Sequence, residues 1–180
     1  MRMIGLIVES PKDEAALQEL VKRCSVVATT VISRPCGGKK KLISRFPGFL
    51  EEFRHVKGGT SVDKAFVVCD ADQKDVEEEK GRLASKIATR QYAFPVKYCV
   101  IVQELEAWLL ADEMDNPEGI VDPKTELENR LSTKGVSYTP EVARRLASEL
   151  SLEKLQQRCP SFRGFPQSVI NGQASTGFGS

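Results

Sequence analysis

The stretch MIGLIVESPKDEAALQELVKRC, residues 3–24, decides the architecture of the chain. It opens on an unbroken apolar run, MIGLIV, as required of a strand buried on both faces of a sheet. The period then changes. Ser10 is a good helix N-cap, Pro11 suits the first helical position, and Asp13 stands where the second half of a capping box belongs. Ala16, Leu17, Leu20, Val21 and Cys24 follow at helical spacing. A buried strand running directly into an amphipathic helix is the repeating unit of a parallel sheet.

The unit recurs downstream. SVVATTVI (25–32) is β-branched and predicts a second strand. RPCGGKKKLISRF (34–46) is a basic loop with two glycines, leading into a helix that carries Leu42, Ile43, Phe46, Phe49 and Phe53. Pro47 and Gly48 are expected to break or kink that helix. KAFVVC (64–69) and VKYCVIV (96–102) predict the third and fourth strands, separated by the charged amphipathic helix VEEEKGRLASKIATR (76–90). ELEAWLLAD (104–112) predicts another helix. The order predicts an α/β fold, a mostly parallel four-stranded sheet flanked by helices.

After about residue 112 the character changes. EMDNPEGIVDP (113–123) is a loop, and KTELENRLSTKG, TPEVARRLASEL and SLEKLQQRC predict short helices. We therefore divide the chain into an α/β core at 1–112, a helical C-terminal extension at 113–170 packed on the core, and a tail at 171–180. The tail, NGQASTGFGS, has little to bury and is expected to be disordered.

Composition narrows the function. A net charge of +1 gives no global attraction to nucleic acid or to membranes, so any such attraction must come from local clusters. No apolar stretch approaches the ~20 residues that span a bilayer, which argues against a membrane partner. The five cysteines are odd in number and form no CxxC pair, as expected of reduced thiols in the cytoplasm. His55 is the sole histidine and no GxSxG elbow precedes any serine, which argues against a Ser-His-Asp hydrolase.

The acidic residues at the strand ends carry the functional reading. Glu9 follows the first strand, Asp70 and Asp72 the third, and Glu104 and Glu106 the fourth. In an open parallel sheet, ligands bind beyond these carboxyl ends. Crowded carboxylates are unfavourable unless a cation neutralises them, and hard oxygen ligands favour Mg²⁺ or Mn²⁺. Each has a structural alternative: Glu9 favours the first helix dipole, and Asp70 or Asp72 could cap the next helix. Glu104 and Glu106 lie among Leu105, Ala107, Trp108, Leu109, Leu110 and Ala111, which occupy nearly the whole helical wheel. A dipole contribution of ~0.3–1 kcal/mol is too small to offset burying an unpaired charge there. A metal or a basic partner accounts for them better.

Arg34, Lys39, Lys40, Lys41 and Arg45 fall around Gly37 and Gly38. A solvated loop is the commoner fate of such a run. Its expected place beside the acidic residues favours a phosphate-tracking, nucleic-acid-binding role. Phe162 and Phe165 could stack on a base, but docking onto the core is the better reading. Tyr92, Tyr98 and Tyr138 have no distinctive setting, so no tyrosine stands out as a covalent nucleophile.

Glu at the end of the first strand with DxD at the end of the third resembles the Toprim domains of topoisomerases, bacterial primases, recombination-repair proteins and nucleases of the overcoming-lysogenization-defect type. VES with DE close behind, CDAD, QELEAWLLAD and the late RCPSFRGF resemble, more narrowly, a small stand-alone Toprim-like family catalogued as domain of unknown function 4276. The resemblance runs from the first strand to about residue 165. It implies a Rossmann-like Toprim core and a Mg²⁺ (or Mn²⁺) site for phosphodiester chemistry, in a nuclease acting on DNA more than RNA. It also implies an ATPase partner in defence against foreign DNA. Carried onto this chain, Glu9 would be a general acid/base or metal ligand, Asp70 and Asp72 would hold the metal, and Glu106, with Glu104 beside it, would complete the cluster. Many Toprim domains have Gly after the first-strand Glu, where this chain has Ser10 and Pro11; that limits close approach of a phosphate at this turn. The alternatives are a non-catalytic module that binds nucleic acid or an ATPase on the same scaffold, and a phosphohydrolase or phosphotransferase acting on a nucleotide.

Overall fold

Strand β1 (Arg2–Val8) is the central element of the fold, because it is paired on both sides. The computed structural model describes residues 1–170, Lys57 by its backbone alone; the tail expected to be disordered lies outside the described residues. β1 leads into α1 (Pro11–Cys24), whose capping box between Ser10 and Asp13 is formed as the sequence predicts. There follow β2 (Thr29–Pro35), α2 (Lys39–Glu52), β3 (Lys64–Asp70), α3 (Val76–Ser85) and β4 (Val96–Ile101). Five further α-helices follow among the described residues: α4 (Glu106–Leu109), α5 (Pro123–Thr133), α6 (Pro140–Glu149), α7 (Leu152–Arg158) and α8 (Gly164–Ile170). The strands form one sheet in the order β2-β1-β3-β4, every pair parallel.

Because β1 and β3 are buried on both faces, their side chains feed two cores. Leu6, Val8, Phe66 and Val68 point to one face, where α1 packs with the C-terminal helices and the buried Trp108, Phe162 and Phe165. Ile7, Val67 and Cys69 point to the other, beneath Phe46, Phe49 and Phe53 of α2 and its C-terminal turn and Leu83 of α3. Phe162 and Phe165 are 0% and 3% exposed and meet Trp108 edge to face, so they belong to the core and not to a base-stacking surface. The indole N–H donates to Ser161 Oγ at 2.8 Å, which satisfies the one polar atom of the buried ring.

The structure departs from the sequence expectations in four places, the first being α3, which ends at Ser85 and not at Arg90. β2 starts at Thr29, four residues after the predicted start at Ser25, because Ser25 still caps α1 through its bond to Val21 O and Val26 and Val27 are exposed. α2 continues through Pro47 without ending. A mid-helix proline costs about 3 kcal/mol, whereas burying Phe46, Phe49, Leu50 and Phe53 contributes about 1.5–3 kcal/mol each, so packing prevails. The expected ELEAWLLAD helix shrinks to Glu106–Leu109, entered from a left-handed Gln103 (φ 61°).

The two ends of the described chain meet at the amino edge of the sheet. Arg2 Nη1 donates to Val169 O at 2.8 Å and to Ile170 O at 3.0 Å, and Lys64 Nζ donates to Ser168 O. Both cations complement the carbonyl end of α8. Lys64 is 1% exposed; burial, followed by the nearby charges of Arg2 and Lys97, pushes its pKa down to about 8. Among the described residues no helix is long and apolar enough to cross a membrane.

Gly5 in β1 lies so close to α2 that an added Cβ would sit 2.4 Å from the Phe53 ring. Gly5→Ala is expected to destabilise the protein by roughly 1–3 kcal/mol through overpacking. Urea denaturation followed by Trp108 fluorescence measures it, and an unchanged midpoint would contradict the packing described.

Candidate functional site

The strand order reverses between β1 and β3, because the chain leaves β1 toward β2 on one side and returns to β3 on the other. The crevice beyond the carboxyl ends of β1 and β3 is where such sheets bind ligands. Glu9 follows β1, Asp70 ends β3, and the two are joined directly: the Asp70 N–H donates to Glu9 Oε1 at 2.9 Å. Glu9 is thus aimed across the crevice by the neighbouring strand.

The local electrostatics are those of carboxylates crowded in a poorly solvated site. Burial pushes the Glu9 pKa up to about 7; the bond from Asp70 opposes the rise, and Asp13 and Asp72 add to it. Asp70 lies well above the usual carboxylate range, through burial and then repulsion from Asp13, Glu9, Glu106 and Asp72. Glu106, 6% exposed on α4, is pushed up to about 7 by burial and then by Asp13. Burial also raises Asp13, against the pull of its bonds with Ser10. Glu9, Asp13, Asp70 and Glu106 therefore form one electrostatically coupled group.

The other two expected acids lie at the border of this group, Asp72 acting on Glu9 and Asp70 and Glu104 on Asp13 and Glu106, and each has a partner of its own. Asp72 has a left-handed backbone (φ 51°), is exposed, and pairs with Lys39 Nζ at 3.0 Å. Glu104 is half-buried and accepts the Lys124 N–H at 3.0 Å, at the start of α5. Among the described residues, no three His, Cys, Asp or Glu side chains are grouped so as to hold a metal ion as they stand. Glu9 is committed to the Asp70 amide, Asp13 to the Ser10 amide and Asp72 to Lys39. The acids meet as a shared electrostatic field and not as a finished coordination shell. The donor set itself, all carboxylate oxygen, has the hard-ligand chemistry of a Mg²⁺ or Mn²⁺ site.

The basic loop divides in the same way. Gly37 and Gly38, at φ 81° and 110°, turn so that both amides donate to the Glu9 carbonyl at 2.8 Å. That docks the start of α2 beside the acids. Lys39 reaches inward and bonds Asp70 O at 2.5 Å, Asp72 at 3.0 Å and the buried Glu79 at 3.0 Å. Burial disfavours its charge, yet the bonds with Asp72 and Glu79 outweigh that and raise its pKa. Lys40, Lys41 and Arg45 are exposed, with Arg45 stacked over Phe49. Arg34 is bound to Glu52 at 3.0 Å, at the other end of α2.

Two residues of the site escape a reading of the sequence. Asp13 is legible only as a cap, although its place one turn after Glu9 was a signal that both could face the same edge. Tyr138, just ahead of α6, is brought in by tertiary packing. Its ring is 9% exposed, and its phenol is raised by burial and by Glu106 and Asp13, so it stays protonated. The buried hydroxyl faces Glu106 without closing a hydrogen bond of good geometry.

No family model matches the chain, and no curated protein matches it. A solved structure of a hypothetical protein from Pyrococcus horikoshii is similar over 95% of this chain and 100% of that one, with a TM-score of 0.53 at 15% identity. At that identity the likeness concerns the fold alone.

The raised acids link stability to pH. Glu9 and Glu106 ionise near 4.5 when unfolded and at about 7 when folded, so the native state holds protons that the unfolded chain has released. Their contribution is fully present below pH 4.5 and is lost as pH rises through about 7. Without added metal, the melting temperature is expected to be lower at pH 8 than at pH 5.5, by the equivalent of roughly 1–3 kcal/mol per group after solvent screening. Glu9→Gln and Glu106→Gln should flatten that slope in thermal scans; a melting temperature that rises with pH would contradict the coupling.

Proposed function

We propose that this chain is a Mg²⁺- or Mn²⁺-dependent enzyme of phosphodiester chemistry, acting as a nuclease on DNA in preference to RNA. The observation that carries this reading is the crowding of Glu9, Asp13, Asp70 and Glu106 at the switch point of a parallel sheet. Four like charges in a poorly solvated crevice are stable only when protonated or neutralised, and a divalent cation at neutral pH relieves their repulsion.

Glu9 and Asp70, with Asp13 and Glu106 around them and Asp72 at the rim, are the residues that would hold the cation. When bound, it would supply an activated water and charge stabilisation for the leaving oxygen. The chain's own groups contribute the rest. A carboxyl at about 7, as in Glu9 and Glu106, both holds and releases a proton at neutral pH, which suits a general acid or base. Lys40 and Lys41 stand exposed on the first turn of α2, a turn with no acidic residue and no side-chain cap. Its open amides and positive charges favour a phosphate backbone passing the site. The resemblance to the small Toprim-like family suggests, in addition, an ATPase partner in defence against foreign DNA.

A second reading is a binding module on the same scaffold without catalysis. The observation favouring it is that Lys39 already neutralises Asp72 and Glu79, while no three acids are grouped for a metal among the described residues.

Purified protein incubated with Mn²⁺ and single-stranded DNA, double-stranded DNA, RNA or a nucleotide panel separates these readings. We expect cleavage of DNA that EDTA stops and that Asp70→Ala lowers at least ~100-fold. Binding of DNA without cleavage would support the module, and turnover confined to nucleotides would replace nuclease by phosphohydrolase or phosphotransferase.

A further inference from the structure

A cavity of about 140 Å³ lies beside β4, the edge strand of the sheet, on the face that α8 covers. α8 seats Phe165 on Phe66 of β3, with ring centroids 5.6 Å apart. Next to that contact it presents only Gly164 and Ser168, too small to fill the space over Cys99 of β4. The walls are therefore two aromatic rings and a thiol, which its poorly solvated surroundings push up to about 12 and so keep neutral. A dry cavity of about 150 Å³ takes up a ligand the size of benzene. The charged lining has one sign: Lys80 and Lys97 line the cavity, and none of its lining residues is acidic. Lysine stems commonly cover apolar surface, but here they border a gap and do not close it. Lys80 Nζ meets Glu77 Oε1 at 2.7 Å, yet that carboxylate is 79% exposed, and such a surface pair is weak and readily exchanged. Lys97 is exposed and, with Arg2, repels the buried ammonium of Lys64, which lies 5.8 Å from the centroid of the same Phe66 ring. The carbonyls of α8 account for Arg2 and Lys64. They do not account for Lys80 and Lys97 at the mouth of an aromatic cavity.

We infer that this cavity binds a small aromatic carboxylate, its ring against Phe66, Phe165 and Cys99 and its carboxylate at the mouth with Lys80 and Lys97. Tilted contacts between rings are favourable, and so is a sulfur at a ring edge. The carboxylate replaces Glu77 on Lys80, gives Lys97 a counter-charge and eases the repulsion felt by Lys64. Neither half of the ligand suffices alone. A bare anion at the mouth would form one more screened surface pair, and a neutral ring would leave the crowded cations as they are. The cavity opens beside β4 under α8, whereas Glu9, Asp13, Asp70 and Glu106 gather beyond the carboxyl ends of the strands. The ligand is therefore distinct from the substrate of the proposed reaction, and the inference does not depend on that reaction.

Calorimetric titration of the full chain with benzoate tests the inference, with benzamide as the neutral isostere and inorganic phosphate as a charge without the ring. Benzoate is expected to bind at one site per chain, and the other two at least ~10-fold more weakly. Two variants locate the site. Lys97→Gln changes an exposed residue and should weaken benzoate roughly tenfold while leaving benzamide unchanged. Gly164→Leu should abolish benzoate binding by occupying the cavity; a Cβ added there meets nothing within 4 Å, so the variant should melt as wild type does. Benzamide or phosphate binding as tightly as benzoate would overturn the inference, as would the absence of saturable benzoate binding up to roughly 10 mM. Full benzoate affinity in either folded variant would overturn it as well, by placing the ligand elsewhere. Each of these outcomes leaves the proposed function standing.

Discussion

Repulsion among carboxylates at one edge of a parallel sheet is the constraint around which this protein is arranged. Left alone, Glu9, Asp13, Asp70 and Glu106 would favour an opened edge or a protonated one. The fold counters them with fixed dipoles and one internal cation. The Asp70 amide holds Glu9, the Ser10 amide and hydroxyl hold Asp13, and Lys39 ties the Asp70 carbonyl to Asp72 and Glu79. Left-handed residues gather at the same edge: Asp72 and Gln73 after β3, and Gln103 after β4. Non-glycine residues in that region are uncommon, and they collect where function overrides local preference.

Lys39, Lys40 and Lys41 are adjacent in sequence and have unlike roles. Lys39 is an internal strut, its ammonium taken up by three protein oxygens. Lys40 and Lys41 face solvent. One turn of helix thus separates a charge that stabilises the empty edge from charges that can attract an anion to it. The Gly37–Gly38 turn makes this division, because it seats the helix start on the Glu9 carbonyl and so brings the first lysine within reach of the acids.

Much of this was legible in the sequence. The change of period in residues 3–24 announced a strand and a capped helix, and both are present with their capping box. The runs at 64–69 and 96–102 are strands β3 and β4 to within one residue. Placing Glu9, Asp70 and Glu106 at strand ends followed from topology, since a parallel sheet carries every strand's carboxyl end to one edge. Side-chain commitment was not legible. Nothing local tells that Lys39 turns inward, that Arg34 binds Glu52, or that Glu104 receives α5. Asp13 was hidden by its own good local explanation, and Tyr138 by distance along the chain. The sequence period also overstated α4, and the break allowed for at Pro47 does not occur, because burial of the α2 phenylalanines outweighs the local rule.

The clamp at the amino edge bears on how the molecule comes together in time. Arg2 grips carbonyls of residues 169 and 170, and Lys64 grips that of Ser168. β1, the central strand, is therefore fastened to the last described helix, across almost the whole intervening chain. Contacts of such separation form only after a large loop has closed, and they slow a fold that depends on them. The α2 face can pack from residues that emerge early, whereas the α1 face waits for Trp108, Phe162 and Phe165. The acidic edge is completed on that later side, because Tyr138 and α6 arrive with it. A chain stopped before α6 would have its strands and all the acids of this edge, but would leave α1 without the helix that packs most closely on it.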